Sequence, residues 1–336
     1  CGALQPEQLD EFLKYYTPGD HQLAVEKRYP APEGAPLKGA PPVAVLSRVV
    51  EHYHRTFCER EDAQAYLKKR GLVDTDLLRV LKVGYADGLL LKIIPKEGDV
   101  REQLVSLGVI TAEGRELLGG CVVVPIPDPL SGQWVNLYGR GLRIPRHCYL
   151  PGPFRGVLNF QAARSSAEVV LTESVLDALS FHQAGIATAI PIYGTSGFTA
   201  DHLDLLKREN VRRVILALDG DAAGRKATDA LKEKLGAAGI AVRVMPYPQG
   251  VKDANELLVS RNGDAGEAFR KALDAAEPAE QKPHPALSKP MTIAPSARVV
   301  VLPVTVPPVA SFPLSEKPPQ AAAKRPAEVA TTTDGL

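Results

Sequence analysis

The chain has 336 residues, room for one large domain or two ordinary ones, and its 45% hydrophobic and 24% charged content is that of a globular protein. It has no run of about 18 apolar residues, and its opening residues, CGALQPEQLDEF, lack the regions of a secretory signal, so an intracellular protein without a membrane partner is expected. The net charge of +1 is no footprint for nucleic acid, but Pro129 to Ala167 holds no Asp or Glu and carries Arg140, Arg143, Arg146, His147, Arg155 and Arg164. A local patch of that kind suffices to bind phosphate; a solvated arginine-rich loop would have the same composition.

Residues 1–45 are Pro- and Gly-rich and predict a short helical piece followed by a linker. VAVLSRVVEHYHRTF, DAQAYLKKRGL and DTDLLRVLKVG then repeat apolar residues at helical spacing, with Gly71 placed as a helix stop and Asp74 as a cap. CVVVPIP (121–127) and QWVNLYGRGL (133–142) predict two strands around the turn residues DPLSG. The four cysteines (Cys1, Cys58, Cys121, Cys148) form no CxxC pair, and Cys121, beside VVV, is expected to be a small buried hydrophobe. The chain opens on Cys-Gly without methionine, which suggests a fragment or a processed chain. From Ser166 the rhythm turns to strand–helix units: VVLTE, ATAIPIY, RRVILALD and VRVMPYP each precede an amphipathic helix, which implies a parallel sheet covered by helices. The organisation expected is therefore 1–45, an α+β region over 46–165, an α/β domain over 166–277 and a disordered Pro/Ala-rich tail over 278–336.

Two predicted strands end in acid: VVLT at Glu173, and VILAL at Asp219-Gly-Asp221. Open α/β sheets bind ligands beyond the carboxyl ends of their strands. Three carboxylates meeting there call for a cation, and few hard oxygen ligands suit Mg²⁺ or Mn²⁺. Singly, each acid is as ordinary as a helix cap; the order strand–Glu–helix, strand–GTSG–helix, strand–DGD–helix, strand–KDANELL is more specific.

TESVLDALSFHQAG resembles the glutamate motif of Toprim domains, and LALDGDAAGRKATDAL is close to the DGDxAGRxA pattern of bacterial DnaG-like primases. YGTSGFTADHLDLL and VKDANELL are similar to further primase segments, although Asn255 stands where the second has its second acid. Upstream, AYLKKRGLVDTDLLRVLKVGYADG, VVVPIPDPLSGQWVNLYGRGL and PRHCYLPGPFRGVLNF extend the resemblance over roughly residues 45–275, nearest to primases of mobile elements or plasmids. Cys148 precedes Tyr149 where that family usually has lysine.

The resemblance implies a Toprim sheet with flanking helices beside a mixed α+β subdomain, and a cytoplasmic bacterial enzyme that makes RNA primers on single-stranded DNA from ribonucleoside triphosphates, with a replicative helicase as partner. It implies that Glu173, Asp219, Asp221 and Asp253 hold Mg²⁺ or Mn²⁺, Glu173 serving as ligand or general base, and that Arg140, Arg143, Arg146 and Arg155 bind nucleotide or template. Asp177, Gly194, Thr195 and Ser196 would support the site. Zinc would enter only through an upstream ribbon. Trp134 and Tyr138 are expected either to stack on template or to belong to the core. A Toprim nuclease and a non-catalytic DNA-binding protein of a mobile element share the carboxylate pattern and stand as alternatives; a topoisomerase would need a cleavage domain with a nucleophilic tyrosine.

Overall fold

The computed structural model describes residues 42–261 and 263–278. The expected N-terminal linker and the Pro/Ala-rich tail lie outside the described residues, apart from the first turn of the helix that begins at Pro42 and from Pro278.

Helices α1 (Pro42–Glu59), α2 (Glu61–Lys69) and α3 (Thr75–Val80) open the described chain. Gly71, at φ 74°, ends the second helical run, and Asp74 caps α3 by accepting from the amides of Asp76 and Leu77. Strand β1 (Gly84–Ala86), helices α4 (Leu90–Ile93) and α5 (Asp99–Ser106), and strands β2 (Cys121–Pro127), β3 (Trp134–Gly141) and β4 (His147–Tyr149) follow. The four strands pair in the order β1-β2-β3-β4, antiparallel throughout. Val123 and Leu137 face a cluster with Val45, Leu46, Val49 and Val50 of α1, whereas Val122, Val124 and Tyr138 face the opposite way. Cys121 is fully buried, as expected of a small hydrophobe, and so is Tyr138, whose hydroxyl bonds His147 Nδ1 at 3.0 Å; Tyr138 is a core residue, not a stacking platform.

Helix α6 (Gln161–Ser165) leads into the second sheet: β5 (Glu168–Thr172), α7 (Val175–Gln183), β6 (Ala189–Pro191), α8 (Ala200–Arg208), β7 (Arg213–Ala217), α9 (Ala222–Ala237), β8 (Ala241–Val244), α10 (Ala254–Ser260), α11 (Ala265–Asp274) and β9 (Glu277–Pro278). The strand order is β6-β5-β7-β8-β9. The first four strands are parallel, as the strand–helix rhythm predicts, and β9 adds an antiparallel edge. Alternate residues of β5 and β7 go to opposite faces. Val169, Leu171, Val214 and Leu216 meet α8 and α9 through Leu205, Leu206, Leu231 and Leu235. Val170 and Ile215 meet α7, α10 and α11 through Ala178, Phe181, Leu257 and Phe269. This second cluster also takes in Leu67, Leu72, Val122, Val124 and Tyr138, so one continuous core backs both sheets. Among the described residues no helix is long and apolar enough to cross a membrane.

Candidate active site

The chain leaves β5 to form β6 on one side and then crosses back to place β7 on the other. The strand order therefore reverses at the carboxyl ends of β5 and β7, where an open α/β sheet forms its crevice. The register Thr172↔Ala217 sets the residues beyond the two strand ends side by side. Glu173 follows β5 directly, and its Oε2 accepts from the Asp219 amide at 3.3 Å. Burial and the charges of Asp219 and Asp221 push the Glu173 carboxyl above its ordinary value. Asp219 is raised as well, by burial and by Asp253 and Asp221, against the opposing pull of Lys252. Asp221 is held below the usual range by the Gly224 amide and by Lys252. Two half-buried acids made harder to ionise by their neighbours are a site short of positive charge.

Lys252 supplies some of that charge. Its Nζ lies 3.3 Å from Asp219 Oδ2 and 3.1 Å from Asp221 Oδ2. The Gly220 amide donates to the Lys252 carbonyl at 2.8 Å, which ties the DGD turn to the loop before α10. Among the described residues no three His, Cys, Asp or Glu side chains close into a ready-made metal cage. The carboxylates converge, with an ammonium standing between two of them. The donor set is all hard oxygen and already takes a cation, a chemistry that suits a hard divalent cation.

Gly220 has no left-handed φ. Gly224 is the residue for which a side chain has no room: a Cβ there would stand 2.1 Å from the Asp219 carbonyl oxygen. Gly224 N–H also donates to Asp221 Oδ1 at 2.9 Å, which makes Asp221 the N-cap of α9. Asp253 caps α10 in the same manner, accepting from Glu256 N at 2.7 Å, and its charge reaches Asp177 and Asp219. The ordinary helix-cap role of an acid is thus present at Asp221 and Asp253 alongside their place in the cluster.

Asp177 is no surface acid. It is 4% exposed and forms a capping box with Ser174, accepting from Ser174 Oγ at 2.6 Å and Ser174 N at 3.2 Å. Its other oxygen accepts from Asn255 N at 3.3 Å. Burial pushes its carboxyl up to about 7, with the charge of Asp253 adding to the effect. Gly194, at φ 100°, donates its amide to the Glu173 carbonyl at 2.8 Å and so fixes the loop after β6 against the end of β5. Thr195 and Ser196 are exposed on that loop. Gly197 is the tighter position, where a Cβ would meet the Ile192 carbonyl oxygen at 2.1 Å.

Of the arginines singled out from the sequence, Arg140 is linked to the carboxylate framework through Tyr66 and Arg70. Its Nε donates to Tyr66 Oη at 3.3 Å, Arg70 lies over the Tyr66 ring at 5.3 Å, and Arg70 Nη1 donates to Asn255 Oδ1 at 3.0 Å. Arg143 is exposed on the turn between β3 and β4, and Arg155 is partly buried. Arg146 commits Nη2 to the carbonyls of Leu117 and Gly119, and Arg164 packs over Phe160 and pairs with Glu209. Both brace the protein itself, so the acid-free stretch is only partly a free basic surface. Lys252, Asn255, Arg70, Gly224 and Gly197 were not singled out as site residues from the sequence; the first two lie in VKDANELL, where Asn255 already stands out as a departure from the pattern.

A strand-end carboxylate cluster at the switch point of a parallel sheet defines the class, and a model of the Toprim-like family matches residues 170–258. The DNA primase of Deinococcus radiodurans is 34% identical over 229 residues, which is 62% of this chain and 39% of that protein. A solved DnaG catalytic core is 26% identical with a TM-score of 0.61, covering 71% of this chain and 81% of that one. A DnaG primase catalytic domain solved bound to single-stranded DNA is likewise 26% identical, with a TM-score of 0.60 and coverage of 70% and 79%. The chain thus carries a Toprim-like segment over residues 170–258, and over about 70% of its length it is similar to the catalytic cores of bacterial DnaG primases. It spans less than half the length of the curated relatives it matches.

Proposed function

We propose that this chain is the polymerising core of a DNA primase, joining ribonucleoside triphosphates into short RNA primers on single-stranded DNA. The observation that carries the reading is the meeting of Glu173, Asp219 and Asp221 at the β5/β7 switch point, with Lys252 already neutralising two of them. Likeness to a primase domain bound to single-stranded DNA supports the template class. Glu173, Asp219 and Asp221 would hold a divalent cation, with Asp253 beside them, and that cation would neutralise developing charge on the reacting phosphate oxygens. Glu173, raised by burial, would alternatively receive the proton of an attacking 3′-hydroxyl. Arg140 and Arg143 would bind triphosphate or template backbone through their planar guanidinium groups.

The test is incorporation of labelled ribonucleotides on single-stranded DNA with Mg²⁺ or Mn²⁺, adding a primase zinc-binding domain in trans if the chain alone is slow. Asp219→Ala and Glu173→Gln should each abolish synthesis while far-UV circular dichroism stays that of the wild type. Full activity in Asp219→Ala would sink the assignment. Nicking of plasmid by the wild type with Mg²⁺ and no nucleotides would favour a nuclease instead.

A further inference from the structure

We propose that Lys252 is a built-in counter-ion of the carboxylate site which a divalent cation displaces, so that this side chain sets the concentration at which the site loads. The inference rests on the metal-dependent reading above. The Lys252 ammonium bridges Asp219 Oδ2 and Asp221 Oδ2 at 3.3 and 3.1 Å, on two carboxylates of one turn. A hard divalent ion would bind oxygens of this kind at about 2.1 Å, and two cations sharing the same oxygens repel strongly at that range. Loading the site therefore requires the ammonium to leave.

The local structure lets it leave cheaply. The root of Lys252 is fixed: its amide donates to Glu256 Oε2 at 2.8 Å, and its carbonyl accepts from Gly220 N at 2.8 Å. Its side chain is 48% exposed, so the four-carbon stem swings the head into water without moving either backbone bond. Asp219 stays in place with its side chain only 17% exposed. A fixed root, a mobile cationic head and an anchored anion are the parts of an exchangeable ion pair. In the absence of divalent cation the same pair offsets the repulsion among Glu173, Asp219 and Asp221.

The experiment measures metal binding, not turnover. The full chain is freed of metal with a chelator, and Mn²⁺ binding is followed by calorimetry and by loss of the free-ion paramagnetic resonance signal, in the wild type, Lys252→Met and Lys252→Arg. Lys252→Met keeps the stem and removes the charge; it should bind Mn²⁺ about three- to tenfold more tightly at low salt, the range one or two half-exposed ion pairs supply. The gap should narrow as ionic strength rises. Lys252→Arg should bind no more tightly than the wild type. Lys252→Gln serves as a second neutral variant if Lys252→Met fails to fold. Neutral variants that bind Mn²⁺ as the wild type does, or more weakly, would overturn the counter-ion role and leave the metal site standing. A wild type that binds no Mn²⁺ at millimolar concentration would overturn both.

Discussion

Replacing Gly224 by alanine sets two effects of opposite sign against each other. Within a helix, Gly→Ala ordinarily gains about 0.5–1 kcal/mol, because glycine loses more backbone freedom on folding. Gly224 is the third residue of α9, and its new Cβ would stand 2.1 Å from the Asp219 carbonyl oxygen and 2.9 Å from its carbonyl carbon. Carbon and oxygen atoms settle at about 3.3 Å or more, so the turn and the helix would have to part by about 1 Å. Both partners are backbone, held by the Gly224–Asp221 and Gly220–Lys252 bonds, and neither can yield like the end of a long side chain. Overpacking of this kind costs about 1–3 kcal/mol, so against the propensity gain the net loss is about 1 kcal/mol at mid-range and up to about 2.5 kcal/mol. The relief also moves Asp219, and a displacement near 1 Å at a reacting site costs about 100-fold in rate. Urea denaturation followed by circular dichroism, with the slope unchanged, reads the first effect; primer synthesis reads the second. A Gly224→Ala protein as stable as the wild type or more so would refute the argument, because propensity would then outweigh the close approach.

Asp177→Asn should flatten the pH dependence of stability. An acid whose carboxyl lies at about 7 in the folded chain, against 3.8 ordinarily, holds its proton more tightly when folded. Its contribution is fully present below 3.8 and is lost as pH rises to 7, a fall of up to about 4 kcal/mol at about 1.4 kcal/mol for each pH unit. Denaturation midpoints at pH 5 and pH 7.5 should therefore lie closer together in the variant, and an unchanged spacing would remove Asp177 as the source. Arg140→Ala should weaken binding to labelled single-stranded DNA and reduce the slope of log affinity against log salt by about 0.7 for each phosphate that the guanidinium no longer neutralises; identical isotherms across salt would take Arg140 out of the template surface.

The parts of this site legible in the sequence are those where one residue's chemistry coincides with an element end. Glu173 and the two aspartates mark the ends of β5 and β7 because short runs such as VVLT and VILAL stop at an acid, and β2 spans the predicted 121–127 because seven consecutive residues are buried. Strands β1 and β4 have three residues each, too few for an alternation to show, and they form because β2 and β3 offer them edges. Helix α11 has a clear apolar face in Ala265, Phe269 and Ala272, but it follows a Gly-Asp turn and immediately precedes the Pro-rich tail, whose composition obscures its period. The Lys252 bridge joins residues 31 and 33 positions apart, and no local pattern encodes which of many lysines will reach a given acid.

Asn255 shows why a departure from the pattern of a related segment has to be followed into three dimensions. As a sequence observation it subtracts an acid from the site. In the structure its Nδ2 donates to Arg70 O at 2.9 Å and to Ser180 Oγ at 3.0 Å, while its Oδ1 accepts from Arg70 Nη1 and its backbone amide meets Asp177. A carboxylate at this buried position could keep the bond from Arg70 Nη1. It could donate neither of the two Nδ2 bonds, and it would set a second buried negative charge beside Asp177, whose carboxyl is already hard to ionise. The amide therefore belongs with Asp177 and Ser180 as one hydrogen-bonded unit. Through Arg70 and Tyr66 that unit runs on to Arg140, so the loop carrying Lys252 and Asp253, the helix behind Glu173 and the leading arginine of the basic stretch share a single support.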